Sequence, residues 1–210
     1  MRSRILLPLA LVLLAAPARA GVELTALAGY RSGELSYPLL GLACSPIPEV
    51  RCPTSARSED GEVFGLVLEV PWSERWAFEG AVNHQAGRLR FVYPFPPVME
   101  PQFPEPRDPD LDLTRAHAGV RHHWPHPRLT PFLAAGAGVT DLRVTPSHQA
   151  RPEGLEGYRL SLSLAAGLKV ALRGRLGLRL EGRTYWTDLP ENAGGDLVQT
   201  DASLGLSFRF

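Results

Sequence analysis

The chain has 210 residues, of which 22 are Lys or Arg and 22 Asp or Glu, giving a formal charge of +0 with 44% hydrophobic residues. Balanced charge leaves no basic footprint for a phosphate backbone, which excludes a nucleic-acid binder. Beyond residue 20 no window approaches 18 consecutive apolar residues, which excludes a helical membrane protein and leaves an exported soluble domain or a β-barrel.

The chain opens with Arg2 and Arg4, an apolar stretch from Ile5 to Ala16, then Pro17 and Ala18-Arg19-Ala20. That is the pattern of a secretory signal peptide. Its apolar core is shorter than the roughly 20 residues a spanning helix needs, and the A-x-A triplet predicts cleavage before Gly21. The expected organisation is a signal peptide over 1–20 and one domain over 21–210. Export places Cys44 and Cys52 in an oxidising compartment, where a local disulfide is expected.

From Gly21 onward apolar residues alternate with polar ones. The first segment, 22–31, puts Val22, Leu24, Ala26, Ala28 and Tyr30 on one face; 62–70 does the same with Phe64, Leu66, Leu68 and Val70. Segments 76–87, 112–124 and 130–144 follow, the last too uniformly small and apolar for its parity to be read. The row from Tyr158 to Leu172 is the cleanest, with apolar residues at every even position. Soluble strands average about five or six residues, so a row this long fits a bilayer better. Segments 176–186 and 198–210 complete eight strands.

The connections alternate in length: 32–61 long, 71–75 short, 88–111 long, 125–129 short, 145–157 long, 173–175 short and 188–197 long. The expected fold class is all-β: an eight-stranded antiparallel transmembrane β-barrel with short periplasmic turns and long extracellular loops, both chain ends periplasmic. Trp76, Trp124, Tyr30 and Trp186 fall near strand ends, as interfacial girdles require. The opposite parity collects Glu23, Arg31, Glu69, Glu79, Arg115, Arg121, Arg159, Lys169, Arg179, Glu181, Arg183, Asp201 and Arg209. These predict an ion-paired interior rather than a pore, and closure of the barrel predicts an interior pair between Glu23 and Arg209.

The last eight residues, Ser203-Leu204-Gly205-Leu206-Ser207-Phe208-Arg209-Phe210, resemble the β-signal of outer-membrane proteins: a polar residue, a Gly two later, then aromatics third from the end and last. With the leader and the eight alternating segments, the whole mature chain resembles the small OmpA/OmpX/OmpW-type barrel superfamily. The resemblance implies residence in the outer membrane of a Gram-negative cell, among lipid and lipopolysaccharide. It also implies an assembly signal at Ser203, Gly205, Phe208 and Phe210 read by the barrel-assembly machinery during insertion. It is weak for activity, because function lives in sites rather than folds.

Three features invite chemistry. His122, His123 and His126 crowd one short turn, but adjacent strand residues point to opposite faces, which argues against a shared metal. His84 lies on the lipid-facing parity near the outer end of its strand, where a barrel enzyme that edits lipid A would need a base. No nucleophile or orienting carboxylate can be assigned beside it from the sequence. The Pro-dense segment 94–109 and the cysteine-closed first loop supply stiff exposed surface for an extracellular ligand. No catalytic residue, cofactor or metal is therefore expected. The sequence reading is a structural or surface-interaction role through loops 32–60 and 88–111, with a lipid A-modifying enzyme or a narrow channel for small apolar molecules as alternatives.

Overall fold

The computed structural model describes residues 21–32, 36–38, 55–58, 60–92, 110–145, 157–189 and 197–210. The expected leader over 1–20, the cysteines 44 and 52, and the segment 94–109 lie outside the described residues. The strands are β1 (Glu23–Ser32), β2 (Ser36–Pro38), β3 (Ser55–Ser58), β4 (Gly61–Pro71), β5 (Trp76–Val92), β6 (Asp110–His123), β7 (Leu129–Thr145), β8 (Gly157–Ala171), β9 (Leu176–Thr187) and β10 (Leu197–Arg209).

Eight of them close a barrel in the order β1-β4-β5-β6-β7-β8-β9-β10, each pair antiparallel, and β10 returns to β1 with Glu23 opposite Arg209. Closure removes both sheet edges, so every barrel strand spends its backbone donors and acceptors on two neighbours. All eight predicted segments are strands. The largest difference is at β5, which runs on to Val92 because its last four residues pair with β3 instead of β6. With β2 paired to β3, this adds a small sheet rising past the barrel rim from one strand.

Alternation along each strand sorts residues between bilayer and lumen. β10 is the purest case: Leu197, Gln199, Asp201, Ser203, Gly205 and Ser207 point inward, while Leu204, Leu206 and Phe208 are exposed on the outside. The outer face of β8 is a continuous apolar row, Tyr158, Leu160, Leu162 and Leu164, each more than half exposed. Such a surface is stable against lipid and unstable against water. β7, whose parity was unreadable, buries Phe132, Ala134, Thr140, Leu142 and Val144 and turns Leu133 and Val139 outward. Its glycines 136 and 138 blurred the pattern because they carry no side chain on either face.

Three tight connections, 72–75, 124–128 and 172–175, share one end of the barrel with Gly21 and Phe210. In the third, Leu172 N donates to Leu176 O at 3.0 Å, and Gly174 sits at φ 69°, where a side chain would be strained. This is the turn end. The opposite, loop end carries the connections from β1 to β4, β5 to β6, β7 to β8 and β9 to β10, which are described only in part.

Aromatic residues gather outside the turn end. Trp72 stacks on Trp76 with centroids 6.2 Å apart, His122 stands edge-on to Trp76 at 4.7 Å, and Trp124 follows at 4.6 Å. This ladder crosses β5 and β6 at the depth where amphipathic rings are most stable, half in lipid and half in water. Tyr30 and Tyr158 occupy the corresponding outward level near the loop end.

Candidate functional site in the barrel lumen

An eight-stranded lumen is only wide enough for side chains, so what fills it decides what can pass. The turn half is filled by charge. Arg179 is the hub: Nε donates to Glu181 at 2.7 Å, Nη2 meets Glu79 at 2.9 Å, and Nη1 pairs with Glu69. Arg183 bridges Glu181 at 2.6 Å and Glu79. Glu69 also takes Lys169 at 2.5 Å and Arg121, while Lys169 reaches Glu23. Each carboxylate is shared by two or more cations, which offsets the desolvation that an isolated buried charge would suffer. Phe132 is enclosed in this network, with the Arg179 guanidinium 4.5 Å and that of Arg121 5.4 Å from its ring centroid. The ring lies across Gly167, its cross-strand partner, where a Cβ would be 2.5 Å from the ring edge.

The loop half is filled mainly by neutral polar groups. Arg31 clasps Asp201 through Nε at 2.5 Å and Nη2 at 3.0 Å, and donates its third nitrogen to Gln85. Arg115 donates to Gln199 and lies 4.6 Å from the Tyr185 ring centroid, whose hydroxyl accepts from Asn83. Beside them, Thr140 Oγ1 donates to Ser161 Oγ at 3.0 Å, and Ser161 Oγ is 2.8 Å from His117 Nε2. Above this layer Leu111, Leu113, Leu142, Val144, Leu189 and Leu197 form an aliphatic collar.

The Ser161–His117 contact has the reach of a nucleophile and base, yet both residues are buried and His117 Nδ1 has no partner among the described residues. A nucleophile–base pair also requires an orienting group on the far ring nitrogen and access for substrate. Between the two halves a cavity of about 20 Å³ adjoins Asn83 and Tyr185, room for a single water. At the turn end, by contrast, the lumen widens to a vestibule of about 610 Å³ that is open to one side.

The residues singled out by sequence are distributed as follows. Glu23 and Arg209 are 3.3 Å apart, but Arg209 is 67% exposed and Glu23 is held more closely by Lys169, so this pair belongs to the rim of the vestibule. Ser203 and Gly205 face inward on β10, and Phe208 and Phe210 are exposed with rings edge-on at 5.1 Å. Gly205 stands opposite Leu27, where a Cβ would meet the Leu27 side chain and the Ala26 carbonyl at 2.7 Å, so the β1–β10 seam requires a glycine there. The three crowded imidazoles separate: His122 joins the outer aromatic ladder, while His123 and His126 line the vestibule. His84 faces outward, its Nδ1 3.0 Å from Thr114 Oγ1. Asp141 is the next residue across, opposite Thr114, and Arg143 holds it at 2.8 Å. The row is thus base, hydroxyl, carboxylate, whereas a catalytic triad needs the base in the middle. Gln85, Asn83, Tyr185, Gln199 and Phe132 were missed by sequence reasoning. The first four share the inward parity of Glu79, Asp201 and Arg183, which was the signal available for them; Phe132 lies in the segment 130–144, whose parity the sequence does not show.

Comparison with solved structures gives the fold. Neisserial surface protein A, NspA, superposes with a TM-score of 0.54 over 91% of this chain and 97% of its own, at 13% identity. The outer-membrane protein AlkL, determined in lipid bilayers, gives 0.55 over 93% of each chain, also at 13% identity. Ail of Yersinia pestis covers 90% of this chain and 99% of its own with a TM-score of 0.49 and 14% identity. No protein-family model and no curated protein matches the sequence. The chain has the fold of the small eight-stranded outer-membrane barrels, and its apolar belt fits that barrel to a bilayer.

Proposed function

We propose that this protein is a non-enzymatic outer-membrane anchor that presents a structured surface at its loop end to an extracellular ligand. The observation that carries the reading is the combination of a lumen packed with side chains and a strand, β5, prolonged past the barrel to support β3 and β2. A filled lumen is useless for transport but gives a stiff base. Extra strand pairing beyond the rim orders a loop at an entropic cost that a mere connection would not incur. In this reading the turn end is periplasmic, the leader directs export, and a bond between Cys44 and Cys52 fixes the shape of the first loop. The β-signal residues Ser203, Gly205, Phe208 and Phe210 deliver the chain to the assembly machinery.

The test compares cells displaying the full chain with cells in which residues 36–58 are replaced by a short Gly-Ser link, on arrays of glycans and matrix proteins. Expected is adhesion lost with the loop while heat-modifiable barrel is retained. Equal adhesion by both, or a steady conductance of the purified protein in a planar bilayer, would overturn the reading.

The lipid-facing His84–Thr114 contact favours a second reading, a lipid A-modifying enzyme. A changed lipid A acyl pattern that disappears in Thr114→Val would establish it in place of the first.

A further inference from the structure

The vestibule at the turn end has no role in a surface-presenting anchor, yet it encloses about 610 Å³. We propose that it is a binding site for a phosphate group, carried either by a phospholipid headgroup or by a free phosphate.

Charge is the first argument. Arg121, Lys169, Arg175 and Arg209 line the cavity against one carboxylate, Glu23. The carboxylates behind the wall do not restore balance. Glu69, Glu79 and Glu181 are already divided among Arg179, Arg183, Arg121 and Lys169. With Glu23 they are outnumbered by the cations of the cluster and its rim, and the surplus lies on the vestibule side. A partly desolvated surplus of this sign attracts an anion more strongly than the same charges in open water.

Unmade hydrogen bonds are the second argument. Arg121 is buried, and although its Nη2 pairs with Glu69, its Nε and Nη1 have no hydrogen-bond partner among the described residues. The same holds for Nδ1 of His123, which also lines the cavity. Orphaned donors on a buried guanidinium are costly, and because Nε–H and Nη1–H point to different sides of the group, each calls for an acceptor of its own. A carboxylate brings two oxygens and one charge. A phosphate offers further oxygens and a second charge, and so can engage Arg121 together with the rim cations Arg175 and Arg209.

Shape adds the headgroup to the candidates. The cavity is several times larger than a bare phosphate, and its wall includes Val170 and Leu176, which lie at the turn-end margin of the β8–β9 apolar face. An anion attached to acyl chains could sit in the cavity with its chains along that face. The site does not depend on what the loops meet at the other end, so it stands or falls separately from the adhesive role.

The experiment is a ¹⁵N-arginine and ¹⁵N-histidine NMR titration of the folded chain in an uncharged detergent. One arm adds inorganic phosphate, a second dihexanoyl phosphatidylglycerol, and a third dihexanoylglycerol, which lacks the phosphate. Expected are saturable shifts at Arg121 Nε and His123 with Arg88 and Arg143 at the opposite rim unmoved. Saturation by inorganic phosphate identifies a free-anion site, saturation by phosphatidylglycerol alone a headgroup site, and dihexanoylglycerol should do nothing. Because Arg121→Gln would take one of the three cations from buried Glu69 and endanger folding, the variant is Arg175→Ser with Arg209→Ser, which leaves Glu23 its contact with Lys169. It should weaken binding about tenfold for each charge-assisted hydrogen bond removed. Absence of saturation with both phosphate probes, equal shifts at both rims, saturation by dihexanoylglycerol, or unchanged affinity in the double variant would each overturn the site.

Discussion

The two halves of the lumen solve the same packing problem with different chemistry. Both bury arginines on inward positions of neighbouring strands. In the turn half every one of Arg179, Arg183, Arg121 and Lys169 meets at least one carboxylate, and Arg179 meets three. In the loop half Arg31 has Asp201, but Arg115 rests on Gln199 and the face of Tyr185. Shared carboxylates couple the turn half together, since removing one hub takes a cation from several carboxylates at once. Amides and rings tolerate the loss of a partner far better, because a neutral group left alone forfeits one hydrogen bond rather than a compensated charge.

The comparison breaks most directly at its two arginines. Arg179→Met should take one cation from each of Glu69, Glu79 and Glu181 at once and destabilise the folded barrel by about 3–5 kcal/mol, the cost of breaking a buried ionic group from one side. Urea titration followed by heat-modifiable gel mobility reads this as a shift of the midpoint. Phe132→Ala should come next, at about 3 kcal/mol, because it leaves a cavity, bares Gly167 and removes the ring between Arg179 and Arg121. Arg115→Met leaves only the Gln199 acceptor and a ring face unengaged, so it should cost less than about 2 kcal/mol. Equal losses for Arg179→Met and Arg115→Met would show that the halves do not differ in kind.

The sorting of residues between lumen and lipid was legible in the sequence, for a physical reason, while the division of the lumen into halves was not. A strand in a bilayer must alternate, so parity alone separates lumen from lipid, and it placed Glu69, Glu79, Arg179, Glu181 and Arg183 inside before any coordinate was known. Parity carries no information about depth or reach. It therefore could not say that Lys169 rather than Arg209 would hold Glu23, or that Arg209 at the strand terminus would lean into solvent. Phe132 escaped notice because its neighbours Ala134, Gly136 and Gly138 supply no contrast between the faces. The β2–β3 extension escaped because strands of three and four residues hold too few positions for alternation to register.

The smallest expected effect concerns the pair that closure of the barrel suggests first. Glu23 and Arg209 are cross-strand partners at the β1–β10 seam, 3.3 Å apart, with Arg209 mostly in solvent and Glu23 buried. An ion pair with one exposed partner is screened by water and salt and should be worth less than about 1 kcal/mol, so Arg209→Gln should shift the urea midpoint only slightly. Glu23→Gln should cost more, because it also takes a carboxylate from Lys169, which is left to Glu69 alone. Two double-mutant cycles separate these contributions. The Glu23–Arg209 cycle should give a small coupling that fades in high salt, and the Glu23–Lys169 cycle a larger one that persists, since that pair lies inside the lumen wall where counter-ions do not reach. The reverse ranking would move the working ion pair to the seam and take the rim arginine out of the vestibule's free charge.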